Sequence, residues 1–126
     1  MSANTPAELL SLLIKNINAG DLPAVVACYE PEAVFVLPEG QGGQVRGTEA
    51  IGQAYAQFLA AKPKLTVNAP VIVEAGGVAV ISGEWALDGI SPEGNPSRAS
   101  GKLCDIVRQQ SDGTWLYLID NPFQPG

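Results

Sequence analysis

The prevailing hydrophobic period changes at Pro63, and that change limits the possible folds more than any other feature of the sequence. Before it, apolar residues recur at helical spacing; after it, they come in extended runs. In "TPAELLSLLIKNINAG", Thr5 stands as an N-cap, Pro6 takes the first helical position and Glu8 closes a capping box. Leu9, Leu10, Leu13, Ile14 and Ile17 form one apolar stripe, and Gly20 ends the helix. Asp21 caps a second helix, "LPAVVACYE", stopped by Pro31; "AVFVL" then reads as a strand and "PEGQGGQVRG" as a loop. Thr48 caps a third helix, "EAIGQAYAQFLAAK", with Ile51, Tyr55, Phe58 and Leu59 on one side.

The runs beyond Pro63 are "LTVNAPVIVEA", "VAVISGEWALD", "SGKLCDIVRQQ" and "TWLYLIDNPF", separated by "GG", the long "GISPEGNPSRA" and "SDG". Helices followed by an antiparallel meander predict an α+β fold with the helices packed on one face of the sheet. At 126 residues the chain reads as a single domain, 1–126. Ile106 and Val107, or Trp115 and Leu116, are apolar at both strand parities. A sheet buried on both faces needs a second cover, which predicts a homodimer through the helix-free face.

Charge and residue types narrow the chemistry. A net charge of −6 leaves no basic stripe for phosphates, so no nucleic-acid partner is expected, and an anionic membrane surface is disfavoured for the same reason. The apolar runs are shorter than a membrane span and "MSANTPAELL" lacks a basic leader, which predicts a soluble, cytoplasmic protein. Cys28 and Cys104 have no metal-ligand spacing and read as small reduced hydrophobes. The chain has no histidine, so chemistry falls to carboxylates, tyrosines or lysines. No residue requires a metal or an organic cofactor.

The string "NAGDLPAVVACYEPEAVFVLPEG…RGTEAIGQAYAQFL", with "DGTW" near the end, resembles the ketosteroid isomerase and SnoaL-like polyketide cyclase group of the nuclear transport factor 2-like superfamily. The resemblance implies a cystatin-like cone: a curved antiparallel sheet wrapped around N-terminal helices, an apolar pocket inside, and dimerisation across the sheet. It also implies positions. The isomerases' carboxylate base, just before the proline after the first strand, corresponds to Leu37, and their oxyanion-holding tyrosine of the first helix to Leu13. Their supporting tyrosine matches Tyr55, and their aspartic acid donor matches Asp105 in "CDIVR". With the base replaced by a hydrocarbon, allylic proton transfer has no engine, which argues against steroid isomerase activity.

Asp105 and Asp120 lie on either side of the turn in "LCDIVRQQSDGTWLYLID". A two-residue turn at Asp112-Gly113 would oppose them directly, close enough to share a proton. A three-residue turn over Ser111-Asp112-Gly113, counted without correction, would oppose Asp105 to Ile119 and send the acids to opposite faces. The resemblance favours a common face. Strand parity taken from it places Ile81, Trp85, Leu87, Leu103, Val107, Leu116 and Leu118 in the pocket with both acids, beside Leu13, Leu37 and Phe58.

Each candidate also has a plainer reading, in which Asp105 accepts from a helix or loop amide, Asp120 caps the exit turn in "DNP", and Tyr55 is a core aromatic with one hydroxyl bond. Glu84 should face solvent or a partner, and Arg46 is a lone loop arginine that could hold an anion at the mouth.

The sequence therefore predicts a protein that holds a small apolar, cyclic molecule in its cone. If it is an enzyme, Asp105 is acid or oxyanion donor, Asp120 its partner and Tyr55 a supporting donor, for isomerase, cyclase or hydratase chemistry. The alternative is a non-catalytic dimeric module that only binds ligands or partners.

Overall fold

The computed structural model describes residues 2–37, 43–91 and 93–122. Three helices and six strands follow in the order α1 (Pro6–Ala19), α2 (Leu22–Val26), β1 (Tyr29–Val36), β2 (Gln44–Arg46), α3 (Thr48–Leu59), β3 (Lys64–Ala75), β4 (Val78–Ile90), β5 (Pro96–Gln109) and β6 (Trp115–Asp120).

Local signals account for most boundaries. Thr5 Oγ1 accepts from the Glu8 amide at 3.1 Å, and Gly20, at φ 69°, closes α1 in the left-handed conformation. Glu8 reaches back to the Asn4 amide rather than to that of Thr5. Asp21 accepts from the Ala24 amide and caps α2. That helix ends at Val26, earlier than the sequence reading, so Tyr29 to Pro31 open β1 instead of closing a helix. Thr48 lies inside α3; the preceding cap position is Gly47, at φ 90°. A short strand, β2, occupies part of the expected loop, and β4 and β5 run on into the expected long connection.

The six strands form one sheet in the order β2-β1-β6-β5-β4-β3. It is mixed, not antiparallel throughout as the sequence pattern suggested, because β1 runs parallel to β6. The meander of β3 to β6 is antiparallel as expected, and its last strand lands beside β1 running in the same direction.

Two irregularities shape the sheet. In β3 the register shifts between Asn68 and Val71, with Ala69 at φ 50°. Such a bulge bends the strand. Gly83 faces the bend, where a Cβ would sit 3.3 Å from the Asn68 carbonyl oxygen. The second shift lies between Ile106 and Val107 of β5 against β6.

The helices cover one face. α1 buries Leu9, Leu10, Leu13 and Ile17, and α3 buries Ile51 and Tyr55, against Ala79, Ile81, Leu103, Val107 and Tyr117 of the sheet. Asn18 ties the end of α1 to the start of β3, accepting from the Leu65 amide at 2.7 Å and donating to its carbonyl at 3.1 Å. The face away from the helices is different in kind. Val71, Val73, Val78 and Val80 are exposed there, with Val73 at 63%. Beside them Arg108 grips the buried Glu30 in a two-point ion pair at 2.8 and 2.5 Å, a geometry that holds the Glu30 carboxyl below its ordinary range.

Candidate functional site

Between the helices and the sheet lies a cavity of about 730 Å³. Leu10, Leu13, Ile14 and Ile17 of α1 form one wall, and Tyr55 and Phe58 of α3 another. Leu65, Val67, Trp85, Leu87 and Leu103 form the sheet side, and Leu37 lies at the end of β1. The walls are nearly all hydrocarbon because the inward positions of amphipathic helices meet the inward parity of the strands. Gln53 and Gln57 add amides, and the acids on the lining are Asp105 and Asp120.

The hairpin between β5 and β6 explains why those acids meet. The turn has three residues: the Gln110 amide donates to the Thr114 carbonyl at 2.7 Å across Ser111, Asp112 and Gly113, with Gly113 at φ 89°. That turn sets Val107 opposite Tyr117 and Arg108 opposite Leu116. The register then slips, so that Ile106 faces Ile119, with Leu118 as the extra residue. The slip reverses the strand's parity, and Asp120 comes inward beside Asp105. Both are buried, at 6% and 3% exposure, and each carboxyl acts on the other's affinity for a proton.

The donors around the pair converge on Asp120. The Tyr29 hydroxyl donates to Asp120 Oδ2, the Tyr55 hydroxyl lies 3.4 Å from the same oxygen, and the two hydroxyls bond each other at 2.6 Å. With the Tyr29 proton committed to the carboxylate, Tyr55 is the donor between the hydroxyls. Asp105 Oδ1 accepts the Asn121 amide at 2.8 Å. Asp105 therefore has the amide partner of its plain reading as well as the carboxyl partner, whereas Asp120 meets tyrosines rather than the exit turn.

Burial pushes the Asp105 carboxyl well above the usual carboxylate range, and the neighbouring Asp120 charge pushes it further. Burial also raises Asp120, while hydrogen bonding, from the Tyr29 hydroxyl above all, pulls it back. Two carboxyls raised in this way favour holding one proton that belongs to the pair. Burial raises Tyr29, Tyr55 and Tyr117 well above ordinary phenols, which keeps all three as donors.

Of the expected lining, Leu13, Leu37, Phe58, Trp85, Leu87 and Leu103 reach the cavity along with Tyr55 and both acids. Ile81 and Val107 have no exposure and pack in the core. Leu116 and Leu118 are corrections: Leu116 sits beside Arg108, Leu118 is the bulged residue, and neither lines the cavity. Unbroken alternation counted back from Asp120 misses the bulge and inverts the face. Tyr117 takes the place expected of them. Tyr29 and Tyr117 were missed as site residues, the first because "CYE" read as a helix tail. Arg46 and Glu84 are exposed. Among the described residues, no three His, Cys, Asp or Glu side chains gather as a metal would need.

Comparison with known proteins places this architecture. The SnoaL-like domain family matches residues 12–117. No protein of curated function matches the chain in sequence. Among solved structures, a nuclear transport factor 2-like superfamily protein from Salmonella enterica serovar Typhimurium superposes with a TM-score of 0.80 at 20% identity, over 94% of this chain and 89% of that one. Aln2 from a Streptomyces species gives 0.76 at 16% identity, over 91% and 84%. The calcium/calmodulin-dependent kinase II hub of S. rosetta gives 0.70 at 19% identity, over 90% and 89%. At these identities the likeness is one of fold. Among the described residues no helix is long and apolar enough to cross a membrane.

Proposed function

The chain belongs to the SnoaL-like domain family, and from that premise we propose that it binds a small, apolar, cyclic molecule in its cone, with the molecule's polar end against the Asp105–Asp120 pair. One observation carries the reading: a cavity of about 730 Å³ with largely hydrocarbon walls has two buried carboxyls, Asp105 and Asp120, on its lining. A buried acid pair is costly to a fold, and groups of this kind concentrate where chemistry or recognition needs them.

The proton bridging Asp105 and Asp120 is the transferable one. Moving it to a ligand oxygen leaves a second negative charge on the pair, which the Tyr29 hydroxyl at Asp120 and the Asn121 amide at Asp105 offset. Its return closes a cycle suited to isomerisation, cyclisation, or addition and removal of water. Steroid-type isomerisation is not the favoured reaction, because Leu37 and Leu13 offer only carbon to the cavity. Tyr55 acts as a supporting donor through Tyr29, whose hydroxyl donates to Asp120.

Native mass spectrometry tests the binding step. The purified protein is expected to carry a small organic molecule or to take up added fluorene, and Leu13→Trp, which drives an indole across the cavity, is expected to abolish both. A wild-type protein that neither carries a ligand nor binds fluorene at saturation would remove the reading.

The helix-free sheet face is proposed as the surface of a homodimer. Val73, Val80, Ile106 and Ile119 form one row across four strands, since each is the register partner of the next. A kinase hub domain among the fold neighbours supports self-association in this architecture. Burying the exposed valines of β3 and β4 is the expected driving force. Light scattering is expected to give a dimer for the wild type and a folded monomer for Val73→Glu/Val80→Glu; a variant that stays dimeric would move the interface elsewhere. Reduced thiols at Cys28 and Cys104 suit a cytoplasmic setting.

A further inference from the structure

Tyr117 carries the one buried side-chain oxygen or nitrogen that has no hydrogen-bond partner among the described residues. The residue has no exposure, yet it contributes to the cavity lining together with Asp105 and Asp120. Its ring is held against Tyr29, with centroids 5.4 Å apart, so the phenol is fixed in place. Neighbouring hydroxyl and amide donors are committed: Tyr29 to Asp120, Tyr55 to Tyr29 and the Asn121 amide to Asp105.

A buried hydroxyl with no partner weakens a fold, and phenylalanine would fill the same space without that cost. Retaining the oxygen is understandable if a ligand satisfies it. We infer that the Tyr117 hydroxyl is a ligand-binding donor, which selects cyclic, largely hydrocarbon molecules that carry an oxygen acceptor such as a ketone. This inference rests on the cavity being a ligand site. It adds a recognition contact from β6 that neither the acid pair nor Tyr55 supplies. Burial and the nearby Asp105 and Asp120 charges raise the phenol well above its ordinary range, so it stays protonated as a donor.

Fluorene and 9-fluorenone have nearly the same shape and differ by one carbonyl oxygen, so they isolate the contact. Calorimetric titration is expected to show wild-type protein binding fluorenone about tenfold more tightly than fluorene. Tyr117→Phe should cut that preference severalfold, leave fluorene affinity unchanged and keep or raise the thermal midpoint. Equal binding of both probes by the wild type, or a preference undiminished in Tyr117→Phe, would overturn the inference while leaving the cavity reading intact. A Tyr117→Phe protein that is less stable and loses affinity for both probes equally would make the hydroxyl structural and also overturn it. Failure of both probes to bind the wild type would remove the cavity reading and this inference with it.

Discussion

Stability is expected to fall as pH rises from the carboxylate range toward neutrality, and Asp105→Asn is expected to abolish most of that fall. Asp105 and Asp120 both hold their protons above the ordinary aspartate pKa of 3.8 in the folded state, Asp105 strongly so. A group raised in this way contributes stability that is complete below its unfolded pKa and is lost as pH climbs through its folded pKa. Within that window each proton yields a slope approaching about 1.4 kcal/mol per pH unit. Glu30 acts in the other direction: Arg108 lowers it, so its contribution is present above 4.5 and is lost as pH falls below that value. Tyrosines 29, 55 and 117 add losses only on the alkaline side, as does Cys28, which burial pushes up from 9.0 to about 11. The stability profile should therefore peak on the mildly acidic side. Urea unfolding followed across a pH series checks this. Asp105→Asn removes the titrating group, and its amide can still donate to Asp120, so the variant should gain stability at pH 8 relative to wild type. Superimposable pH profiles for the two proteins would show that the pair holds no extra proton.

How far the sequence reveals this site depends on which interactions are local. Thr5, Gly20 and Asp21 act within a few residues of themselves, and their roles in capping α1 and α2 were legible directly. The meander was legible for the same reason, since alternation and turn residues are neighbours in the chain. Parallel pairing of β1 with β6 was not, because it joins segments separated by most of the chain and leaves no periodic trace in either. The carboxyl pair was half legible. Asp105 and Asp120 stood out as acids in apolar strands, but their meeting needs two irregularities that compensate, a three-residue turn and a bulge at Leu118. Either alone sends Asp120 to the other face, and neither has a signature stronger than the glycine at 113. Tyr29 could not be found from pattern alone: Pro31 looked like a helix stop, whereas here it sits exposed within a strand.

Gly101→Val is expected to destabilise the protein by about 1–3 kcal/mol, the range for overpacking, and to close the cavity. Glycine inside a strand normally weakens it, so its place in the middle of β5 needs a reason. The reason lies across the sheet. Gly101 is the register partner of Trp85, and a Cβ on it would come within 2.8 Å of Cζ2 and 2.9 Å of Cε2 of the indole. An indole is rigid and cannot yield as a flexible side-chain end would. It would have to swing off the strand, away from the Pro122 carbonyl that its Nε1 reaches at 2.5 Å, and into the cavity it now borders. Valine is otherwise a better strand residue than glycine, so the sign of the effect should depend on Trp85 alone. In a Trp85→Leu background the same Gly101→Val change is expected to be neutral or stabilising, giving a coupling energy of at least about 1 kcal/mol in a double-mutant cycle. Urea unfolding of the four proteins measures that coupling, and fluorene titration measures the cavity. An equal cost of Gly101→Val in both backgrounds would detach the glycine from the tryptophan. Loss of fluorene binding in Gly101→Val, restored when Trp85 is leucine, would identify the indole resting on Gly101 as the wall that sets the width of the cone.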